Sequence, residues 1–215
     1  MHHFLKIIFL FLLVGSASAA VAAETIQISH FSAAGLSGWS GKSFNGETEY
    51  RIVDDAGQKV LQAKSSGTAS GLVFEVEYDP QEYPLLSWRW KIANTIAKGD
   101  SRTKAGDDYA ARIYVVFPHW FFPKTKTLNY IWANRLPEGS VQANVYLSNA
   151  VMIAVDSGNE KVGSWVTVRR NIVADYRRAF GEDPPEVGAI AIMTDTDNTG
   201  ESAIAWYGDI LVSKE

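Results

Sequence analysis

Alternation of apolar and polar residues with a period of two is the dominant pattern along the chain after its first 23 residues. The clearest case is Leu86–Ile92, in which Leu, Trp, Trp and Ile alternate with Ser, Arg and Lys. Tyr109–Phe117 repeats the pattern, with Tyr109 on the apolar face and Arg112 and Tyr114 on the opposite face. One apolar and one polar face predict strands of a sheet that packs on one side.

Nine segments are rich in β-branched and aromatic residues, and most are bounded by Gly, Pro, Asn or Asp. They are Gln58–Lys64, Gly71–Tyr78, Leu85–Ile92, Tyr109–Phe117, Leu128–Ala133, Val151–Asp156, Ser164–Arg170, Val187–Thr194 and Ala203–Val212. One helix is predicted over residues 172–180, because Asn171 can cap its start and Gly181 can end it in a left-handed conformation. Many strands and one short helix predict an all-β fold: a single antiparallel β-sandwich, jelly-roll-like, over residues 24–215.

The first 23 residues have the three parts of a secretory signal. Lys6 supplies the positive end, Ile7–Val14 an apolar run of eight residues, and Gly15–Ala23 the small residues of a cleavage site. A membrane anchor is the alternative, but a membrane span needs about 20 apolar residues. We therefore expect cleavage after Ala23, with Ala19 as the second choice, and a periplasmic or secreted protein without a membrane anchor.

Composition narrows the classes of function. The chain has 20 basic and 24 acidic residues, a net charge of −4 and no basic stripe, which argues against nucleic acid as a partner. It has no Cys, so disulfides and thiol chemistry are excluded. His30 and His119 are the only histidines after the signal segment, which excludes a multi-histidine zinc site and disfavours a Ser-His-Asp triad. An enzyme of this sequence would have to use carboxylates, Tyr, Arg or a metal bound by oxygen.

The sharpest local motif is Asp195–Gly200, with the sequence Asp-Thr-Asp-Asn-Thr-Gly. Asp195, Asp197 and Asn198 could bind a structural calcium ion, because Ca²⁺ prefers oxygen ligands. The motif is not an EF-hand, since Trp206 occupies the position of the closing Glu. A hairpin turn closed by local hydrogen bonds explains the same residues and is their more ordinary use. No other cofactor is indicated.

Asp107, Asp108, Tyr109 and Arg112 form a second pattern at the start of a predicted strand. Adjacent carboxylates in a sheltered cleft can have pKa values moved apart, which suits a binding or acid–base site. The alternative is a turn in which one Asp pairs with Arg112 or Arg89, since structural ion pairs also gather such residues. Neighbouring strand residues point to opposite faces, so we expect only one Asp to face any one pocket.

Arg89 and Arg112 each interrupt an otherwise apolar strand beside aromatic residues. A guanidinium among aromatic rings could bind an acidic or sugar ligand, and a structural pair across the sheet would give the same pattern. Trp132 alternates with Tyr130 and fits either a ligand contact or the core. For the aromatic segment Pro118–Pro123 we favour burial, the usual position of Trp and Phe. The candidate ligand-binding residues are therefore Arg89, Asp107, Asp108, Tyr109, Arg112 and Trp132.

Several short motifs, taken together and in order, resemble a bacterial family of exported proteins called domain of unknown function 3047. They are Trp88-Arg89-Trp90-Lys91, Gly106–Arg112, Asp175-Tyr176 with Phe180-Gly181, Met193–Gly200 and Tyr207-Gly208-Asp209-Ile210. The resemblance implies a periplasmic or secreted β-rich domain, and it transfers no catalytic residue. The Trp-x-Trp strand is also similar to jelly-roll modules of the carbohydrate-binding, galactose-binding-like type, which is a likeness of architecture rather than of function.

Three functions fit these observations. The first is a non-catalytic module that binds a carbohydrate or another envelope ligand. The second is a polysaccharide hydrolase or lyase that uses Asp107 or Asp108 with Tyr109 or Arg112. The third is a structural envelope protein that binds another protein through residues 120–122.

The export hypothesis makes a direct prediction about the N-terminus. When the chain is expressed in a bacterial host with an intact secretion system, the accumulated protein should begin at Glu24, because small residues precede that position. Intact-mass spectrometry of the purified protein checks this. A mass that includes Met1 would contradict cleavage.

Overall fold

Two stacked β-sheets form the framework of the computed structural model, which describes residues 24–215. The predicted signal segment lies outside the described residues. In chain order the strands are β1 (Thr25–Ser29), β2 (Trp39–Asn45), β3 (Glu49–Asp55), β4 (Gln58–Ser66), β5 (Ala69–Tyr78), β6 (Leu85–Ile92), β7 (Arg112–Phe117), β8 (Lys126–Ala133), β9 (Val141–Ala143), β10 (Ala150–Ser157), β11 (Val166–Asn171), β12 (Val187–Asp195), β13 (Ser202–Tyr207) and β14 (Ile210–Ser213). One α-helix, α1 (Ile172–Phe180), and 3-10 turns at Lys104–Gly106 and Phe122–Lys124 complete the elements.

Each sheet has seven strands. The first sheet has the order β1-β14-β6-β13-β4-β3, and β11 also pairs with β6. The second has the order β2-β5-β12-β7-β8-β10-β9. The predicted sandwich is confirmed, with one correction: β8 and β10 are parallel. The segment between these two strands returns to the end at which β8 began, as a parallel pair requires.

The predicted strands are all present, and the largest difference in extent lies beside the candidate site. The strand predicted over Tyr109–Phe117 begins only at Arg112. Ala110 and Ala111 both face the core between the sheets and so interrupt the alternation. As a result Tyr109 lies on the same side as Arg112, not on the face of Ile113 as expected.

The alternation pattern missed four strands and merged two. The segment Ala203–Val212 is two strands, β13 and β14, separated by Gly208 and Asp209. The strands that were not predicted are β1, β2, β3 and β9. Strand β2 is exposed along nearly all of its length, so it has no buried face to produce an apolar period.

Aromatic side chains from β6 and β8 meet at the centre of the core between the sheets. The ring centroids of Trp88 and Tyr130 are 5.3 Å apart, and those of Trp90 and Trp132 are 6.0 Å apart. The indole N–H of Trp90 donates to Asp156 at 2.8 Å, and that of Trp132 donates to the carbonyl of Gly158 at 3.0 Å. Large rings that are also hydrogen-bonded contribute strongly to the stability of a core without disulfides.

Helix α1 forms where the sequence predicts it. The Asn171 side chain accepts a hydrogen bond from the amide of Ala174 at 2.9 Å, and Gly181 ends the helix at φ 74°. The helix packs on the second sheet, because Tyr176 lies 4.6 Å from Phe117 between ring centroids. Within residues 24–215, no helix is both long and apolar enough to span a bilayer.

Trp132 provides a test of the core. Trp132→Ala should lower the free energy of unfolding by about 3–5 kcal/mol, because the substitution removes a buried ring and leaves a cavity. Urea unfolding followed by far-UV circular dichroism measures the loss. The matched control is Trp120→Ala, in which the ring is 91% exposed and the change should stay within about 0.5 kcal/mol. Equal effects of the two substitutions would contradict this description of the core.

Candidate functional site

A groove of about 370 Å³ lies on the outer face of the second sheet, the face turned away from the first sheet. Six neighbouring strands contribute to it, from β2 to β10. Its floor consists of outward-pointing residues from these strands: Lys42, Gly71, Val73, Ala191, Met193, Arg112, Tyr114, Thr127, Asn129 and Ala150. Phe44, Phe122 and Leu147 form its rim, and Asp107 and Asn144 line one wall.

Strand register places the floor residues in rows. Val73, Ala191, Tyr114 and Asn129 are direct neighbours across β5, β12, β7 and β8. Ala191 is small, so a ligand can approach the backbone of β12 there. At Gly71, in the adjacent row, a Cβ atom would lie 2.9 Å from the carbonyl oxygen of Ile192, which explains a glycine inside this strand.

Three polar atoms on the groove side are buried without a hydrogen-bond partner. They are Oδ1 of Asp107, Oδ1 of Asn129 and Oγ1 of Thr127, and all three residues line the groove. Asp107 is 6% exposed and Asn129 is 1% exposed. A buried polar atom without a partner costs about 1–3 kcal/mol. These atoms therefore mark places where a ligand or an ordered water would be stabilised.

The wall of the groove orients Asp107. Its Oδ2 accepts a hydrogen bond from the Asn144 side chain at 2.7 Å, and its carbonyl oxygen accepts one from Arg112 Nη2 at 2.5 Å. Asn144 thereby holds one oxygen of the Asp107 carboxylate, and the buried Tyr109 hydroxyl lies close to the same carboxylate. Asn144 follows β9, and sequence analysis gave no signal for it.

Arg112 and Asp195 form a buried ion pair beneath the groove. The guanidinium of Arg112 binds both carboxylate oxygens of Asp195, with 2.8 Å from Nε to Oδ1. It also donates to the Tyr114 hydroxyl at 3.2 Å and stacks 4.3 Å from the centre of the Tyr109 ring. Arg112 therefore joins β7, β12 and the segment before β7, so its main contacts are structural.

Opposing effects act on the pKa of Asp195 in this pair. Burial raises the pKa of Asp195 to about 7, with the Arg112 guanidinium opposing the shift and the nearby carboxylates of Asp108 and Asp107 reinforcing it. Burial also raises the pKa of Tyr109. Asp195 thus has two further carboxylates near it and one guanidinium paired with it, so its charged form depends on Arg112.

The Asp195–Gly200 motif forms a turn that Asp108 closes. The two carboxylate oxygens of Asp108 accept hydrogen bonds from the backbone amides of Asn198, at 3.3 Å, and Thr199, at 2.6 Å. Carboxylate oxygens of Asp108, Asp195 and Asp197 lie within 4.8 Å of one another. This geometry agrees with the turn alternative, because Asp108 is bound by backbone amides and Asp195 by Arg112. Calcium binding by Asp195, Asp197 and Asn198 stays a prediction. Asn198 Oδ1 accepts a hydrogen bond from the Tyr146 hydroxyl at 3.3 Å.

The other predicted ligand-binding residues do not join the groove. Trp132 is 1% exposed and lies in the core, where no ligand can reach its ring. Arg89 belongs to the first sheet and lines a different cavity, with its guanidinium 4.5 Å from the Trp165 ring and hydrogen-bonded to Gln58. Asp107 and Arg112 line the groove, while Asp108 and Tyr109 are buried behind its wall.

The exposure of Trp120, Phe121 and Phe122 corrects the expectation that Pro118–Pro123 is buried, and of these three residues Phe122 lines the groove. Trp120 is 91% exposed and Phe122 is 78% exposed. Phe44, on the opposite side of the groove, is 63% exposed. Exposed aromatic side chains beside a groove are typical of a binding surface. Sequence analysis missed Phe44 because this residue lies on the exposed strand β2. Asn129 could have been recognised in the sequence as an amide between apolar residues of β8.

The buried ion pair leads to a prediction. Arg112→Met should lower the free energy of unfolding by about 3–5 kcal/mol, because it leaves the buried Asp195 without its partner. The control is Arg102→Met, which removes an exposed pair with Asp100 and should cost at most about 1 kcal/mol. Urea unfolding at pH 7 measures both.

The same variant should be pH-sensitive in a defined direction. The folded-state pKa of Asp195 is raised, so protonation of this carboxyl favours the folded state. That contribution to stability is fully present below the unfolded-state pKa of about 3.9 and is lost as the pH rises through the folded-state pKa. Without Arg112 to compensate, Arg112→Met should lose more stability between pH 5 and pH 8 than the wild type does. An identical pH profile for the two proteins would show that Asp195 does not depend on Arg112.

Several solved structures are similar to this chain at low sequence identity. One is a family 30 carbohydrate-binding module of a cellulosomal cellulase from Clostridium thermocellum. Its sequence is 14% identical, the match covers 89% of this chain and 98% of that chain, and the TM-score is 0.49. A cellulase derived from the Cel12A cellulase of Rhodothermus marinus has 13% identity, coverage of 87% and 100%, and a TM-score of 0.48. A carbohydrate-binding module specific for non-crystalline cellulose has 16% identity, coverage of 92% and 97%, and a TM-score of 0.41.

At this level of similarity, the function has to be inferred from the residues of this chain. The comparison with curated proteins found no match. The family described as protein of unknown function (DUF3047) matches residues 37–211, which is most of the chain. This match confirms the resemblance seen in the sequence motifs, and the protein belongs to the DUF3047 family.

Proposed function

We propose that this protein is an exported, non-catalytic carbohydrate-binding protein, and that its ligand lies in the groove on the second sheet. One observation carries the proposal: a largely apolar groove is lined by Asp107, Asn129 and Thr127, each of which has a buried polar atom without a well-formed hydrogen bond inside the protein. A few well-placed polar groups in an apolar cavity of this size are typical of a specific ligand site.

The chemistry of the free atoms favours a ligand rich in hydroxyl groups. The free oxygens of Asp107 and Asn129 are acceptors, and the Thr127 hydroxyl can accept or donate. A sugar offers several hydroxyl donors on one side of a ring and C–H groups on its faces. The faces would pack on the exposed rings of Phe44 and Phe122 while the hydroxyls bind the floor.

The acidic residues favour binding over hydrolysis. Glycoside hydrolases of the usual kind need two carboxyl groups facing the scissile bond, about 5–9.5 Å apart. Among residues 24–215, Asp107 is the one carboxylate that lines the groove. Asp108 is occupied by the amides of the turn, and Asp195 is occupied by Arg112.

Export supports a ligand outside the cytoplasm. The N-terminal segment predicts secretion, and polysaccharides are the major hydroxyl-rich polymers in the envelope and beyond. The exposed segment 120–122 would fit the third function, a protein-binding role, if a partner were found that contacts Trp120 and leaves the groove open.

The decisive experiment is a glycan array of envelope, plant and microbial oligosaccharides, followed by calorimetry on the strongest hit. We expect binding that weakens roughly ten- to hundredfold in Asp107→Asn, because a hydrogen bond to a charged acceptor is worth about 1.5–3 kcal/mol. Asn129→Ala should weaken it about tenfold, in keeping with an uncharged hydrogen bond.

The control variant is Arg89→Ala, on the outer face of the first sheet, which should bind like the wild type. Circular dichroism and urea unfolding confirm that each variant is folded. Absence of binding across the array would contradict the proposal. Binding that is lost in Arg89→Ala but kept in Asp107→Asn would move the site to the other sheet.

A further inference from the structure

We infer that the ligand of the groove is an uncharged, extended polysaccharide segment that crosses the second sheet, rather than a single sugar, a chain end or an acidic glycan. The inference rests on the proposed function and adds the size and charge of the ligand to it. Two independent observations carry it: the span of the groove and the electrostatics of its floor.

The groove runs across the strands rather than along them. It is lined from Lys42 and Phe44 on β2 to Ala150 on β10, with contributions from every strand between. These six strands are separated by five spacings of about 4.8 Å, so the groove extends roughly 24 Å across the sheet. A single sugar ring would fill only a fraction of this length.

Exposed apolar side chains lie toward both ends of the groove. Phe44 is at the β2 end, and Phe122 and Leu147 are at the β8 and β10 end. Between them the floor combines apolar side chains, such as Val73 and Met193, with the polar side chains of Asn129 and Thr127. A chain of rings could therefore stack at each end while its central hydroxyls bind the polar atoms of the floor.

The charge of the floor selects against acidic ligands. The guanidinium of Arg112 is matched by Asp195 and is further directed at the Asp107 carbonyl and the Tyr114 hydroxyl. Asp107 is the one carboxylate among residues 24–215 that lines the groove, and Arg112 contacts its carbonyl oxygen rather than its carboxylate. A uronate or sulfate placed there would meet like charge in a partly desolvated site, which is costly.

Lys42 is the remaining cation of the groove and does not change this balance. It is exposed at the β2 end, with its ammonium 5.5 Å from the centre of the Phe44 ring. Water screens such a charge, so its attraction for an anion is weak. An acidic ligand would gain little at Lys42 and lose more at Asp107.

Calorimetry on a length series tests the inference. The neutral oligosaccharide that binds most tightly on the array is used at two, four and six residues, and uronate oligosaccharides of the same lengths are used beside it. We expect affinity to rise at least about tenfold from the disaccharide to the hexasaccharide, because only the longer ligand reaches both ends of the groove. We also expect the neutral series to bind at least about tenfold more tightly than the uronate series.

Two surface variants locate the ends of the ligand. Phe44→Ala and Phe122→Ala should each weaken the hexasaccharide several-fold and leave the disaccharide within about twofold, since each removes one end contact. Trp120→Ala is the matched control, because Trp120 is an exposed aromatic residue near Phe122 that does not line the groove. All three side chains are exposed, so folding should be unaffected.

The outcomes separate the two proposals. If no glycan of either charge binds, the proposed function fails. If glycans bind but the affinity is independent of length, or the uronate series binds more tightly, the function stands and the inference about the ligand is overturned. If Trp120→Ala alone weakens binding, the ligand follows a different path from the groove.

Discussion

The buried pair of Arg112 and Asp195 is the interaction on which the candidate site depends. It connects β7 to the end of β12, and through Arg112 it holds the carbonyl of Asp107. Asp195 is buried and has further carboxylates nearby, so without the guanidinium its charged form would be strongly disfavoured. The position of Asp107 in the wall is therefore a consequence of a structural ion pair lying beneath it.

The second constraint is that both faces of the second sheet are partly covered. Its inner face packs against the first sheet through Tyr130 and Trp132 of β8. Its outer face contacts the segment before β7, where Tyr109 packs with Ile131 and Met152 in a small separate cluster. Polar side chains on that outer face are consequently buried without being part of the main core, and Asn129, whose Oδ1 lacks a hydrogen bond, is one of them.

Sequence patterns predicted what depends on neighbours along the chain. The period of two located β4–β8 and β10–β14, and the caps at Asn171 and Gly181 located the helix. The patterns could not distinguish Arg89 from Arg112, since each is a cation within an apolar strand. The difference between stacking on Trp165 and pairing with Asp195 arises only from which strands become neighbours. Trp132 was misplaced for a related reason, because nearly all of β8 is buried and alternation does not reveal which side faces the core.

The groove itself could not be predicted, because it is formed by residues that are distant in sequence. Asp107 precedes β7, Asn129 lies on β8 and Asn144 follows β9, and they converge only through the strand order of the second sheet. An isolated Asn in a strand is a weak signal in sequence and a strong one in structure, since burial without a partner is costly. The family resemblance located motifs around the ion pair, Gly106–Arg112 and Met193–Gly200, without indicating the groove above it.

A cavity larger than the groove lies on the outer face of the first sheet. Its hydrogen bonds are the reason why we do not propose it as the ligand site. It measures about 690 Å³ and is lined by Arg89, Gln58, Ser32 and Asp209 among others. These side chains already bind one another: Ser32 donates to Asp209 at 2.6 Å, and Arg89 donates to Gln58. Solvated groups with partners gain little from a ligand, because each new hydrogen bond replaces an existing one. In the smaller groove, buried atoms of Asn129 and Thr127 make no such hydrogen bonds, and this difference is the reason why we propose the ligand site there.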